Sequence, residues 1–149
     1  MPRSAKAPAK TKSASASDEI PSAQAEEHAD FVEAQRQLLL SERDTYMRRA
    51  ELLRDAAETM AREMEPGDVQ FDEESGEGDT MNVERERDLT LSAQARGVVD
   101  EIDEALARVA AGTYGYCVQC HQPIPRARLE ALPHAALCVA CKSGGLSRR

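Results

Sequence analysis

Between Glu26 and Glu65 the sequence runs without a glycine or a proline, and along it Val32, Leu39, Tyr46, Leu53 and Met60 recur at every seventh position. Ala50, Ala57 and Met64 stand four beyond the last three of these, completing the alternating spacing of a coiled-coil seam. Arg36 and Arg43 fall on the same seam in the first two heptads, so weaker pairing is expected there. At 1.5 Å per residue such a helix is roughly 60 Å long. A lone helix with one apolar stripe is not stable in water, so this one requires a partner.

The partner comes after a break within residues 66–80, where Pro66, Gly67, Gly76 and Gly78 are expected to stop any helix. A second helical run is predicted from about Met81 to Ala111, with Asp79, Thr80 or Asn82 available as N-cap. Its seam is Leu91, Ala95, Val98, Ile102, Ala105 and Val109, broadened by Val99 and Leu106. Gly97 inside the run costs about 1 kcal/mol relative to alanine, which suggests a tight helix–helix contact. Gly112 stands where a helix C-terminus wants a left-handed residue. Two facing seams joined by a short connection imply an antiparallel hairpin spanning 26–111. The start of the longer first run, around Phe31, is expected to overhang and to pack on the segment C-terminal to the second.

That C-terminal segment is dominated by four cysteines. Cys117-x2-Cys120 is succeeded by Cys138-x2-Cys141, and two such pairs at this separation are a specific zinc pattern. Each pair lets two thiolates converge from one tight turn, and two turns complete a tetrahedron with no position left open for water. The zinc is therefore structural, and its binding contributes on the order of 10 kcal/mol to folding a module with little core of its own. Cys117-Val118-Gln119-Cys120-His121 also spells the attachment motif of c-type haem, but haem leaves the second pair unexplained and needs an apolar pocket. The chain has two Phe, three Tyr and no Trp. A thiol redox reading lacks the βαβ pattern around either pair. His121 is expected to be an exposed residue of the knuckle. Ile124, Leu129, Leu132 and Leu137 supply a miniature core for the finger, and Arg126, Arg128 and Lys142 give it a positive face that pairs with hairpin acids or solvent. No row of residues there has the spacing of a DNA-recognition helix, so sequence-specific DNA binding is not expected.

Net charge is −8, but residues 1–17 carry Arg3, Lys6, Lys10 and Lys12 with no acid, so the remainder carries −12. Such a body is repelled by nucleic acid and suits a basic protein surface or a metal ion. Residues 1–25 read as a disordered Lys/Ala/Ser-rich tail, and 143–149 as a C-terminal tail. No apolar run is long enough to cross a bilayer and no secretory h-region precedes the helices, so a cytoplasmic location with reduced thiols is expected. The connection between the helices concentrates acids, among them Glu74, Glu77 and Asp79, at the end of the rod away from the zinc. A hairpin with that polarity delivers negative charge into a distant basic pocket or to a bound Mg²⁺, and Asp79 is the first candidate.

The frame G-x-Y-G-x-C-x-x-C…P-I…R-L-x-A-x-P-x-A-x-x-C-x-x-C-K resembles the C-terminal zinc finger of the DksA/TraR family of bacterial transcription factors. It is carried here by Gly112, Tyr114, Gly115, Pro123, Ile124, Arg128, Leu129, Ala131, Pro133, Ala135, Lys142 and the four cysteines. The preceding acidic-tipped hairpin fits as well, so the resemblance covers about residues 26–142; the turn and the basic tail are similar to the actinobacterial-type branch. The resemblance implies a protein that binds RNA polymerase directly, inserts its hairpin into the secondary channel and alters promoter complexes through tip carboxylates. The family's tip carries two Asp residues three apart, the second followed at +2 by Ala. Here Asp79 is followed by Thr80 and Met81 and preceded at −3 by Gly76, while Glu74 and Glu77 have the three-residue spacing. Of the positions that the family turns toward the nucleotide ppGpp, two are Glu101 and Leu132 and only Lys142 is basic, so dependence on ppGpp is not expected. Lys142 and Arg128 are the candidates for a phosphate or partner contact. His121 replaces a usual glycine.

The expected architecture is mainly α: an antiparallel coiled-coil helical hairpin followed by a small C4-type zinc finger over 112–142, monomeric and without enzymatic activity of its own. Two other readings remain. One is a transcript-cleavage (Gre-like) factor whose tip acids hold Mg²⁺; the other is a zinc-bearing coiled-coil adaptor unrelated to polymerase.

Overall fold

The computed structural model describes residues 22–64 and 75–144. Two long helices, α1 (Ser22–Glu63) and α2 (Ser75–Ala111), pack along each other, and two short ones, α3 (Arg126–Ala131) and α4 (Val139–Gly144), lie in the finger. None of the described helices is long and apolar enough to cross a membrane.

The heptad reading survives in the packing. Leu39, Ala50 and Ala57 on α1 and Ala95, Val99, Ile102 and Ala105 on α2 are buried between the helices. Tyr46, Leu53 and Met60 are half-buried along the same stripe. Small residues let the backbones approach closely: Ser92 Oγ, buried, donates 2.8 Å to the Ala50 carbonyl across the hairpin. Arg36 is turned outward to Glu33, and Gln35 takes the buried place beside it. Arg43 stays at the seam's edge, where its Nε donates 2.6 Å to Asp103. Both side chains of that pair are solvated, so it fixes register rather than adding much stability.

Two boundary expectations and one packing expectation change. The first helix starts at Ser22 because Ser-Ala-Gln-Ala contains no breaker. The second starts at Ser75 rather than near Met81, so the connection is shorter than 66–80 and Asp79 lies inside the helix. Gly76 and Gly78 are tolerated because they fall in the first turn, whose N–H groups have no intrahelical partner in any sequence. Acids there also favour the helix N-terminus. Gly97 marks no tight contact: a Cβ built on it meets nothing within 4 Å. It is exposed, on the side opposite Ala95 and Val99.

Gly112, with φ of 72°, ends α2 as expected, and the Thr113 N–H returns to the Arg108 carbonyl at 2.9 Å. The pairing of Ala50 with Ser92 and of Arg43 with Asp103 leaves α1 running past the end of α2 by about three turns. That overhang is covered by the finger, as expected: Phe31 and Val32 pack against its core. Arg126 lies over the Phe31 ring, 4.4 Å from its centroid, and its guanidinium reaches Glu27 at 3.3 Å. One continuous core thus runs from Leu39, Ile102 and Ala105 into Tyr114, Cys117, Ile124 and Leu129.

Tyr114 is the joint's central side chain. It is 3% exposed, and its hydroxyl donates 2.8 Å to the Pro133 carbonyl. Burial pushes this phenol up to about 12. A raised acid pKa stabilises the native state fully below the unfolded value near 10, and that contribution is lost as pH rises toward 12. Tyr114→Phe should lower stability at neutral pH by about 1–2 kcal/mol, since it orphans a buried carbonyl. It should also flatten the loss of stability above pH 10, measured by urea unfolding; an unchanged midpoint at neutral pH would mean that the hydroxyl is not part of the joint.

Candidate functional site

The finger begins at a tight loop whose backbone bonds are local. Cys117 N–H reaches the Gln122 carbonyl at 2.9 Å, and His121 N–H reaches the Cys117 carbonyl at 2.9 Å. Closing this loop drives His121 to φ 58°, the left-handed region that favours glycine. His121 is exposed, as expected, and occupies a conformation rather than a ligand position. The same turn brings Tyr116 and Pro123 together in an isolated antiparallel bridge. Gly115, at φ 90°, lets its carbonyl accept from Ile124 N–H at 2.7 Å. The second knuckle is Cys138, just before α4, and Cys141 one turn inside it; Lys142 N–H bonds the Cys138 carbonyl at 3.0 Å.

These turns bring the four Sγ atoms within 4.8 Å of one another, and Cys120 and Cys138 lie 3.7 Å apart. A tetrahedral Zn²⁺ with thiolates at about 2.3 Å holds its sulfurs about 3.8 Å apart. The donor set therefore fits zinc, and the finger holds one structural ion through Cys117, Cys120, Cys138 and Cys141. Cys117 is 1% exposed, which anchors the site to the core of the molecule. Backbone N–H groups of Cys120 and Cys138 bring its thiol down to about 6. Its neighbours Cys138 and Cys120 instead push Cys141 up to about 12. Four sulfurs this close cannot all ionise without a cation among them, and a divalent metal supplies that charge.

Two predicted features of the finger differ. Leu132 is 43% exposed and is not part of the miniature core, because α3 ends at Ala131 and the extended backbone at Leu132 turns the side chain outward. Pro133, Ala135 and Tyr114 fill that space instead. Arg128 is not a free cation: its Nε donates 3.1 Å to the Leu137 carbonyl, bracing the second knuckle. Lys142 is exposed at the rim of a cavity shared with Glu101, Glu104, Arg128, Leu132 and His134.

A residue that sequence reasoning missed ties finger to hairpin. Arg108, in the last turn of α2, donates to the carbonyls of Ala135 at 3.2 Å and His134 at 3.3 Å. A basic residue in a last helical turn is a recognisable signal, but its partners are distant in sequence.

At the other end of the rod, Asp79 is exposed in the first turns of α2. Glu77 belongs to the same helix, and Glu74 lies outside the described residues. The helix carries Asp79 about 48 Å from Ala111 and the finger.

Residues 112–144 match the prokaryotic dksA/traR C4-type zinc finger. The chain is 39% identical over 92 residues to an RNA polymerase-binding transcription factor DksA of Caulobacter vibrioides, an alignment covering 60% of this chain and 61% of that one. It is 36% identical over 64 residues to general stress protein 16O of Bacillus subtilis, covering 43% of this chain and 39% of the relative. The matches thus span about three-fifths or less of these relatives' own length. Among solved structures, transcription factor DksA2 from Pseudomonas aeruginosa superposes with a TM-score of 0.66 at 28% identity, over 80% of this chain and 85% of that one.

Proposed function

We propose that this chain, which its zinc finger makes a member of the DksA/TraR family, regulates transcription by binding RNA polymerase directly. The hairpin enters the secondary channel and presents Asp79, with Glu77 and Glu74 close to it in sequence, near the polymerase active centre. The observation that carries this reading is the polarity of the rod: its base is fixed by zinc, Arg108 and Tyr114, and its acidic end stands about 48 Å away. An acidic body on a narrow hairpin suits a basic, confined channel and not a DNA surface. The protein acts in the cytoplasm as a monomer, and its partner supplies the catalysis.

Dependence on ppGpp is not part of the proposal. Glu101, Leu132 and Lys142 line one cavity, and Glu104 adds a second carboxylate. Two acids against a polyphosphate oppose binding there.

Promoter complexes and stalled elongation complexes separate this reading from transcript cleavage. The protein should change the lifetime of open promoter complexes and leave the RNA of stalled complexes intact. Stimulated RNA cleavage with unchanged promoter lifetime would replace regulation of initiation by the cleavage reading.

A further inference from the structure

The inner face of α2 continues past the point where its apolar residues stop. Ser92, Ala95, Val99 and Ile102 are buried against α1, in alternating steps of three and four. Continued toward the tip, the same steps fall on Asp88, Arg85 and Met81. These three are half-buried, whereas Val83, Glu84, Glu86 and Arg87 among them are exposed. The seam of the hairpin therefore changes chemistry beyond Ser92. Two charged side chains stand where the base of the rod has alanine, valine and isoleucine.

Neither charge is neutralised. Arg85 and Asp88 are three residues apart on one helix, yet among the described residues neither side chain forms an ion pair. On α1, Glu58 is held by Arg54 and Arg62 of its own helix. A half-buried charge without a partner loses hydration with no Coulombic compensation. Charged or polar residues on a coiled-coil seam lower its stability. The facing stretch of α1 offers little to offset this. Toward the tip from the hydrogen bond between Ser92 and Ala50, Ala57 is the only buried residue among the described residues of either helix. Met60, Ala61 and Met64 beyond it are half-buried. Methionine fills such space adaptably and does not fix one arrangement. At the base, by contrast, Leu39 and Ile102 are fully buried.

We propose that the hairpin is built as two units: a fixed base closed by Ser92 on Ala50, and a tip that opens while the base stays folded. Arg85 and Asp88 set the boundary, because their unpaired charges keep the outer seam weak. Opening parts the helices beyond Ser92 and hydrates both charges. The tip carries Asp79 with it, so that carboxylate can shift inside a confined pocket while Arg108, Tyr114 and the zinc hold the base still. The device is a property of the free hairpin and stands independently of polymerase binding, so the purified, zinc-loaded full chain suffices to test it.

Amide exchange of the native chain reads local opening directly. Protection across residues 81–90 should sit at one level, at least about tenfold below that of residues 95–105. A smooth gradient from the helix end means ordinary fraying, and equal protection in the two stretches means a single unit; either overturns the proposal. The cause is tested by Arg85→Leu, which fills the seam position with a residue of nearly equal helix propensity. It should raise protection across 81–90 by about tenfold, whereas Glu86→Leu, on the exposed face, should change it by less than about twofold. No gain from Arg85→Leu, or the same gain from Glu86→Leu, counts against the proposal. If Arg85→Leu self-associates or fails to fold, Asp88→Leu carries the same comparison.

Discussion

Cys138→Ser should strip the chain of stoichiometric zinc and unfold the finger while leaving the distal half of the hairpin helical. Serine replaces a thiolate with a hydroxyl that stays protonated at neutral pH, so the tetrahedron keeps three charged donors and one poor one. The finger cannot absorb that loss. Its helices α3 and α4 have six residues each, far below the length at which a helix stands alone. Structural zinc contributes on the order of 10 kcal/mol to such modules, comparable to a small domain's whole margin of stability. The damage should spread to the start of α1, because Phe31 and Val32 lose the core they pack against. It should stop before Ala50 and Ala57, whose partners lie on α2. Metal analysis should give well under one zinc per chain, and amide exchange should show loss of protection in residues 112–144 and early α1 only. One zinc per chain in this variant would refute the four-thiolate site.

Asp79→Asn should separate holding the polymerase from acting on it. The residue is exposed and stands at the end of the rod opposite the finger, so the substitution disturbs no packing. Affinity for core polymerase should remain within about twofold, since the proposed docking spreads the contact along the length of the hairpin and a few residues at its centre dominate such contacts. The effect on open-complex lifetime should fall about tenfold or more, the usual consequence of removing an ionised partner from a charge-assisted contact. If promoter activity is unchanged, the acting carboxylate is Glu77 or Glu74, and the corresponding glutamines should then show the loss. A comparable fall in affinity would instead make Asp79 a binding residue.

The helices and the zinc site are legible in the sequence because each rests on a local, periodic signal. Heptad spacing places Leu39, Ala50, Ile102 and Ala105 in the core, and two C-x2-C pairs place four sulfurs together. Even the substitution of His121 for glycine is readable once its φ of 58° is seen, because the loop demands that conformation whatever residue stands there. The joint between finger and hairpin is legible only in the Phe31 overhang, and its polar contacts are not. Arg108 with His134 and Ala135, Tyr114 with Pro133, and His134 with Glu42 and Glu101 are contacts that depend on how the finger folds back. The expectation at Gly97 fails although the signal is present: two residues beyond Ala95 is the far side of a helix whose inner face is Ala95, Val99 and Ile102. The start of α2 differs because glycine does not cost the same at every helical position, and the first turn is the exception.

The central claim is that the hairpin occupies the secondary channel of RNA polymerase. It is tested most directly by binding the zinc-loaded chain to core polymerase and competing it with a factor known to fill that channel. The account predicts saturable binding at or below about micromolar concentration, and complete displacement by the competitor. Binding that the competitor leaves untouched, or no association with core polymerase at that concentration, would contradict it.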